Sequence, residues 1–250
     1  MKRPLFAQRH PYWFVAILEI VVIFVYLLAG TIAHFLNLSN LALYGLANLG
    51  LTIIVAALLT VMGWWRVIGF RSPDRKSDLV YFAIPFIPMI INFIPGLAVS
   101  SLSQLMEILA ITLMVGFVEE TIFRGLMLNA LKAHGFWKAA IITALLFGLT
   151  HALNLLTGRG ILEQAAQIFY AVAIGFAFAA LVLQKGIIWP LVLAHFLIDF
   201  VSFLQRPGFA YPPFWVVFVS VSIAIVFTAY GLFLLWPRKE KGMQPEIHAV

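Results

Sequence analysis

Apolar residues fill the chain in runs long enough to cross a bilayer, and the breaks between them are short and polar. At about 20 apolar residues per span, the pattern predicts helices over residues 13–36, 46–65, 79–93, 106–131, 138–152, 161–183, 187–204 and 214–236. The expected fold class is all-α: a polytopic membrane protein with about eight transmembrane helices, forming a single integral membrane domain over 1–250. The third run stands apart. Pro85, Pro88 and Pro95 interrupt it, and because an internal proline removes a helix hydrogen bond, this span is expected to be short or bent. Trp64, Trp65, Trp189, Trp215 and Trp236 fall at or near the predicted ends, as an interfacial aromatic belt requires.

Composition supports that frame. The chain is 63% hydrophobic and 10% charged, far from the roughly 45–50% apolar and 25% charged usage of soluble domains. It contains no cysteine, which excludes disulfides, cysteine metal sites and cysteine nucleophiles. The first apolar run is longer than a signal-peptide core and lacks a small-residue cleavage site, so it is expected to remain as the first span. No internal repeat of the transporter type is evident.

The net charge of +6 does not point to nucleic acid, because the basic residues are dispersed over short loops instead of gathered on one element. They read as topology signals. Of the 16 Lys and Arg residues, 13 fall in the two termini and in alternate loops on one side, including Arg66, Arg71, Arg75 and Lys76. Only Arg159 and Arg206 fall on the other side, and Arg124 lies within a span. The positive-inside rule then places both termini, the 66–78 loop and the 237–250 tail in the cytoplasm.

Chemistry is concentrated in three spans, near 106–131, 138–152 and 187–204. Glu119, Glu120 and Arg124 lie inside the first, where each charge costs roughly 2.5–3.5 kcal/mol on insertion scales and calls for a partner or a wet cavity. Residues four apart share a helix face, so Glu120 and Arg124 are expected to form a structural ion pair, while Glu119 points elsewhere. The second span ends on Phe147-x-x-x-His151 and the third carries His195-x-x-x-Asp199. Glu119 and His151 are each about sixteen residues from Gly135, so at 1.5 Å per residue both sit roughly 20 Å from the turn and can face each other. Gly125 and Gly148 would let these helices approach closely.

Taken as structure alone, Phe147 is a packing residue, Asn154 caps a helix end or shapes a pocket, and His34 and Glu107 are interfacial. Glu19, inside the first span, snorkels or pairs with a partner that the sequence does not identify.

The three motifs, Glu-Glu-x-x-x-Arg-Gly, Phe-x-x-x-His and His-x-x-x-Asp, in this order and each in a membrane helix, resemble the CPBP family of intramembrane proteases, the CAAX-protease and bacteriocin-processing (Abi) group. The motif-bearing core is about 106–204. The resemblance implies an eight-helix protease of a membrane, here a prokaryotic plasma membrane. It would cleave membrane-embedded or membrane-associated protein or peptide substrates, with the lipid bilayer as its other partner. It further implies that the residue matching Glu119 activates water with help from the one matching His151, and that those matching His195 and Asp199 stabilise the oxyanion or bind metal. The last position is often Asn in the family; an ionised Asp cannot donate the hydrogen bond an amide can.

Two mechanisms follow. In one, without a cofactor, Glu119 is general base and His195, held by Asp199, faces the oxyanion. In the other, Zn2+ is held by His151, His195 and a carboxylate such as Asp199, with Glu119 still the base. No His-Glu-x-x-His pattern is present to favour the metal. The same intramembrane acids and imidazoles also suit a proton- or ion-coupled transporter, and the fold suits a catalytically silent scaffold or immunity protein.

Overall fold

The computed structural model describes residues 6–158, 160–206 and 211–236, so Arg159 and the 237–250 tail lie outside the described residues. The long helices are α1 (Pro11–Phe35), α2 (Asn40–Met62), α3 (Leu102–Glu119), α4 (Phe136–Thr150), α5 (Ile161–Lys185), α6 (Trp189–Phe203) and α7 (Pro213–Leu235). Five stretches, α1, α2, Phe136–Leu155, α5 and α7, are long and apolar enough to cross a membrane, and α6 is a shorter apolar helix. Phe24, Ile53, Phe218 and Ile225 are exposed on the outside of the bundle. An apolar exterior over long helices, whose backbone groups pair along the helix, suits lipid.

Local signals set several helix ends. Ser39 Oγ accepts from Ala42 N at 3.1 Å and opens α2. Ser101 Oγ accepts from Gln104 N at 3.1 Å, while Gln104 Oε1 reaches back to Ser100 N at 2.9 Å, a variant of the capping box that starts α3. Gly63 and Gly186 adopt the left-handed conformation that closes α2 and α5.

The proline-rich third run is not a continuous helix. It forms 3-10 turns over Lys76–Phe82 and Ile84–Phe86 and a single α turn over Ile87–Ile91. Proline supplies no N–H to an i→i−4 ladder, so the segment closes only short turns. It nevertheless traverses the bundle beside α6. At one end Lys185 Nζ bonds Asp78 Oδ1 at 2.8 Å; at the other, Asn92 Nδ2 donates to Ile198 O at 3.0 Å and Ala98 N to Leu204 O at 2.8 Å. The third run is thus a broken segment packed along α6 and not a membrane-length helix.

The loop carrying the basic residues 66–76 docks on the α5–α6 turn. Arg71 Nε donates to Gly186 O at 3.0 Å and its Nη1 to Asp74 at 2.5 Å, which holds the Asp74 carboxyl below the usual carboxylate range. The Lys185 ammonium also lies 3.8 Å from the centre of the Tyr81 ring.

Close helix approach sets the depth of the centre. A Cβ on Gly148 would lie 3.1 Å from Ile168 O and 3.2 Å from Val172 N, so α4 and α5 touch through backbone there. Gly116 plays the same part between α3 and α6, where a Cβ would lie 2.9 Å from Val192 O and Phe196 N. Gly125, by contrast, meets the Ile68 side chain and not a helix backbone.

Candidate active site

Directly after Glu119 the helix widens. Residues Glu120–Met127 form a π segment, all eight of them buried, before the chain returns to α-helix at Leu128. Such segments are rare and recur at functional sites. Here the change in winding begins between the two adjacent carboxylates.

Glu120 and Arg124 pair as their spacing requires, with Arg124 Nη1 3.0 Å from Glu120 Oε1 and both side chains enclosed (0% and 1% exposed). The pair is not isolated. The same Glu120 Oε1 lies 2.8 Å from His195 Nδ1, so one carboxylate oxygen joins a guanidinium on its own helix to an imidazole on α6. Since a carboxylate only accepts, His195 Nδ1 is the donor in this bond. The opposite nitrogen, Nε2, faces Glu119 Oε2 at 3.7 Å and Asp199 Oδ2 at 3.6 Å. Both separations exceed a direct hydrogen bond and match a position shared through a third oxygen.

The carboxylate that grips the His195 ring is therefore Glu120 and not Asp199, the expected holder. Glu120 meets the ring from the π segment at Nδ1, whereas Asp199, four residues along α6, lies on the Nε2 side.

His151 stands where α4 gives way to a 3-10 segment, His151–Thr157. Its Nδ1 is 2.7 Å from Phe147 O, and because a carbonyl cannot donate, Nδ1 carries the hydrogen. In the neutral ring this leaves the lone pair on Nε2. Gln164 from α5, buried, donates to His151 O at 2.7 Å and fixes the turn from behind.

Phe147 does more than fill space. Its ring covers the Arg124 guanidinium at 4.0 Å and makes edge contacts with His151 at 4.8 Å and His195 at 5.9 Å. It touches both imidazoles and the buried cation.

Glu119, His151, His195 and Asp199 all line one cavity of about 330 Å³. Its walls add Tyr26, Tyr44, Asn92, Thr150, Asn154 and Gln167. Asn154 shapes this wall, accepting from Tyr44 Oη at 3.0 Å and donating to Gln167 Oε1 at 3.1 Å. The sequence marks Gln164 and Gln167 only as polar residues in an otherwise apolar helix; their role, like that of Tyr26 and Tyr44, depends on packing that no local pattern encodes. Glu19 binds Thr150 Oγ1 at 2.6 Å from outside the cavity. His34 lines a neighbouring cavity that shares Tyr26, Tyr44 and Asn154 with the first.

Among the described residues no three His, Asp or Glu side chains converge as a metal-binding group, and this includes the His151, His195, Asp199 set. Nδ1 of each imidazole is held by a protein acceptor, Phe147 O or Glu120, which leaves Nε2 of each as the nitrogen that can meet a reactant or a metal ion. Glu119 Oε2 is buried and accepts no hydrogen bond from the protein, as suits an acceptor for a bound reactant.

Residues 101–201 match a family model described as Rce1-like, type II CAAX prenyl endopeptidase. The match spans α3, α4, α5 and most of α6, the elements that carry all three motifs. None of the curated proteins compared matches the chain.

Proposed function

We propose, from the match of residues 101–201 to the Rce1-like CAAX prenyl endopeptidase model and the resemblance to the CPBP intramembrane proteases, that this chain hydrolyses peptide bonds of membrane-associated substrates with Glu119 as general base. The observation that carries the reading is the convergence of Glu119, His151, His195 and Asp199 on one intramembrane cavity.

The step balances with these residues alone. Glu119 takes a proton from a water that attacks the scissile carbonyl carbon, and the new C–O bond leaves a negative oxygen. His195, with Nδ1–H on Glu120, presents Nε2–H to that oxygen when doubly protonated. Glu119 then returns its proton to the amide nitrogen as the C–N bond breaks. His151 Nε2, fixed by the bond from Nδ1 to Phe147 O, accepts from the attacking water and aims it.

Roles divide accordingly. Glu119, His151 and His195 touch the reacting atoms, Asp199 adds negative charge on the Nε2 side, and Glu120 positions the His195 ring while neutralising Arg124. No step passes through a metal. The substrate class is a peptide held at the membrane, with prenylated C-terminal CAAX sequences the first to test. Purified protein in liposomes, offered prenylated and unprenylated peptides and read by mass spectrometry for new termini, tests it. Cleavage that is lost with Glu119→Gln supports the reading; the absence of any cleavage, or its persistence in that variant, contradicts it.

A further inference from the structure

Glu19 is a carboxyl group in the first membrane helix that the mechanism leaves unused. Its Oε1 lies 2.6 Å from Thr150 Oγ1, and its Oε2 is buried with no hydrogen-bond partner. No lysine or arginine among the described residues forms an ion pair with it. Thr150 Oγ1 is at the same time 2.8 Å from Leu146 O.

Counting protons leaves two directions open for this chain. A threonine hydroxyl has one hydrogen, whereas a peptide carbonyl and an ionised carboxylate are acceptors only. One hydrogen cannot serve both neighbours. If Thr150 donates to Leu146 O, the short contact to Glu19 is filled when Glu19 supplies the hydrogen as an uncharged acid. The surroundings agree, since an ionised carboxylate at this depth would have one oxygen buried without cation or donor.

Thr150 is the last residue of α4, and its neighbour His151 begins the 3-10 turn. Thr150 and His151 line the catalytic cavity and Glu19 does not. We propose that Glu19 is a positioning residue: an uncharged hydrogen-bond donor on α1 that holds Thr150, and so fixes the turn presenting His151 to the attacking water. The catalytic part of this inference rests on the protease reading above; the uncharged state of Glu19 does not.

Two measurements on the full-length protein test it. The first is an infrared difference spectrum between wild type and Glu19→Gln, recorded in liposomes. The expected result is a protonated-carboxyl C=O stretch in the wild type that is missing in the variant; the lack of such a band overturns the proposal whether or not the protein cleaves anything. The second is steady-state kinetics. Glu19→Gln keeps an N–H donor and should stay within about twofold of wild-type kcat, whereas Glu19→Ala should lower kcat by on the order of ten- to a hundredfold with little change in KM. A Glu19→Gln variant as slow as Glu19→Ala, or a Glu19→Ala variant as fast as wild type, contradicts the positioning role. Where Glu19→Ala fails to fold, the band and the Glu19→Gln rate decide alone. Loss of all wild-type cleavage would refute the protease reading and leave the spectroscopic result standing.

Discussion

His195 Nδ1 and Glu120 Oε1 are 2.8 Å apart, and that same oxygen is 3.0 Å from Arg124 Nη1. A carboxylate that spacing assigns to a structural ion pair is thereby also the group that orients a ring of the candidate active site. Its two roles predict a double effect of one substitution.

Glu120→Gln should both destabilise and slow the protein. Removing one partner of a buried pair leaves Arg124 uncompensated, at a cost of about 3–5 kcal/mol, and the amide no longer offers His195 a charged acceptor. Denaturant unfolding together with kcat in the folded fraction separates the effects. A variant of wild-type stability would show that Arg124 finds its compensation elsewhere.

Asp199→Asn should behave more mildly than His195→Ala. Asp199 Oδ2 is 3.6 Å from Nε2 and makes no direct hydrogen bond to the ring, so cleavage should fall by less than the ~10²–10³ that loss of an oxyanion donor costs. The alternative, Asp199 as a zinc ligand, is separated by metal analysis of both proteins. Stoichiometric zinc in the wild type, weakened by Asp199→Asn and restored by added zinc, would establish a metal site.

The two faces of the bundle can be assigned directly, since the chain has no cysteine and single-cysteine variants carry no background. The charge asymmetry predicts that residues in the 66–78 loop and at both termini react with an impermeant thiol reagent from the cytoplasmic side, and residues near Arg206 from the opposite side. Labelling of the 66–78 loop and of a residue near Arg206 from the same side would overturn that orientation.

The helical membrane class and the Glu120–Arg124 pair were legible in the sequence, because hydropathy and i,i+4 spacing are local properties. That Glu119 and His151 could meet was legible too, from helix rise counted out from Gly135, and both line one cavity. The broken third run was visible as three prolines, though not the short turns that replace the helix. What the sequence did not contain was winding and rotation. Nothing in Glu120-Thr121-Ile122-Phe123 signals a π segment, and without it Glu120 could not be seen to reach His195. Phe147 reads as an apolar packing residue, and its place over Arg124 and against two imidazoles arises only when α3, α4 and α6 meet.

The central claim is that Glu119, and not its neighbour, is the base. It is tested most directly by single-turnover cleavage of a membrane-associated peptide by purified wild type and Glu119→Gln in liposomes, with the fold of the variant verified by thermal unfolding. The expected result is a folded Glu119→Gln protein whose cleavage rate is lower by roughly 10²–10⁴, the contribution of a positioned general base. A folded Glu119→Gln protein that cleaves at the wild-type rate would contradict it.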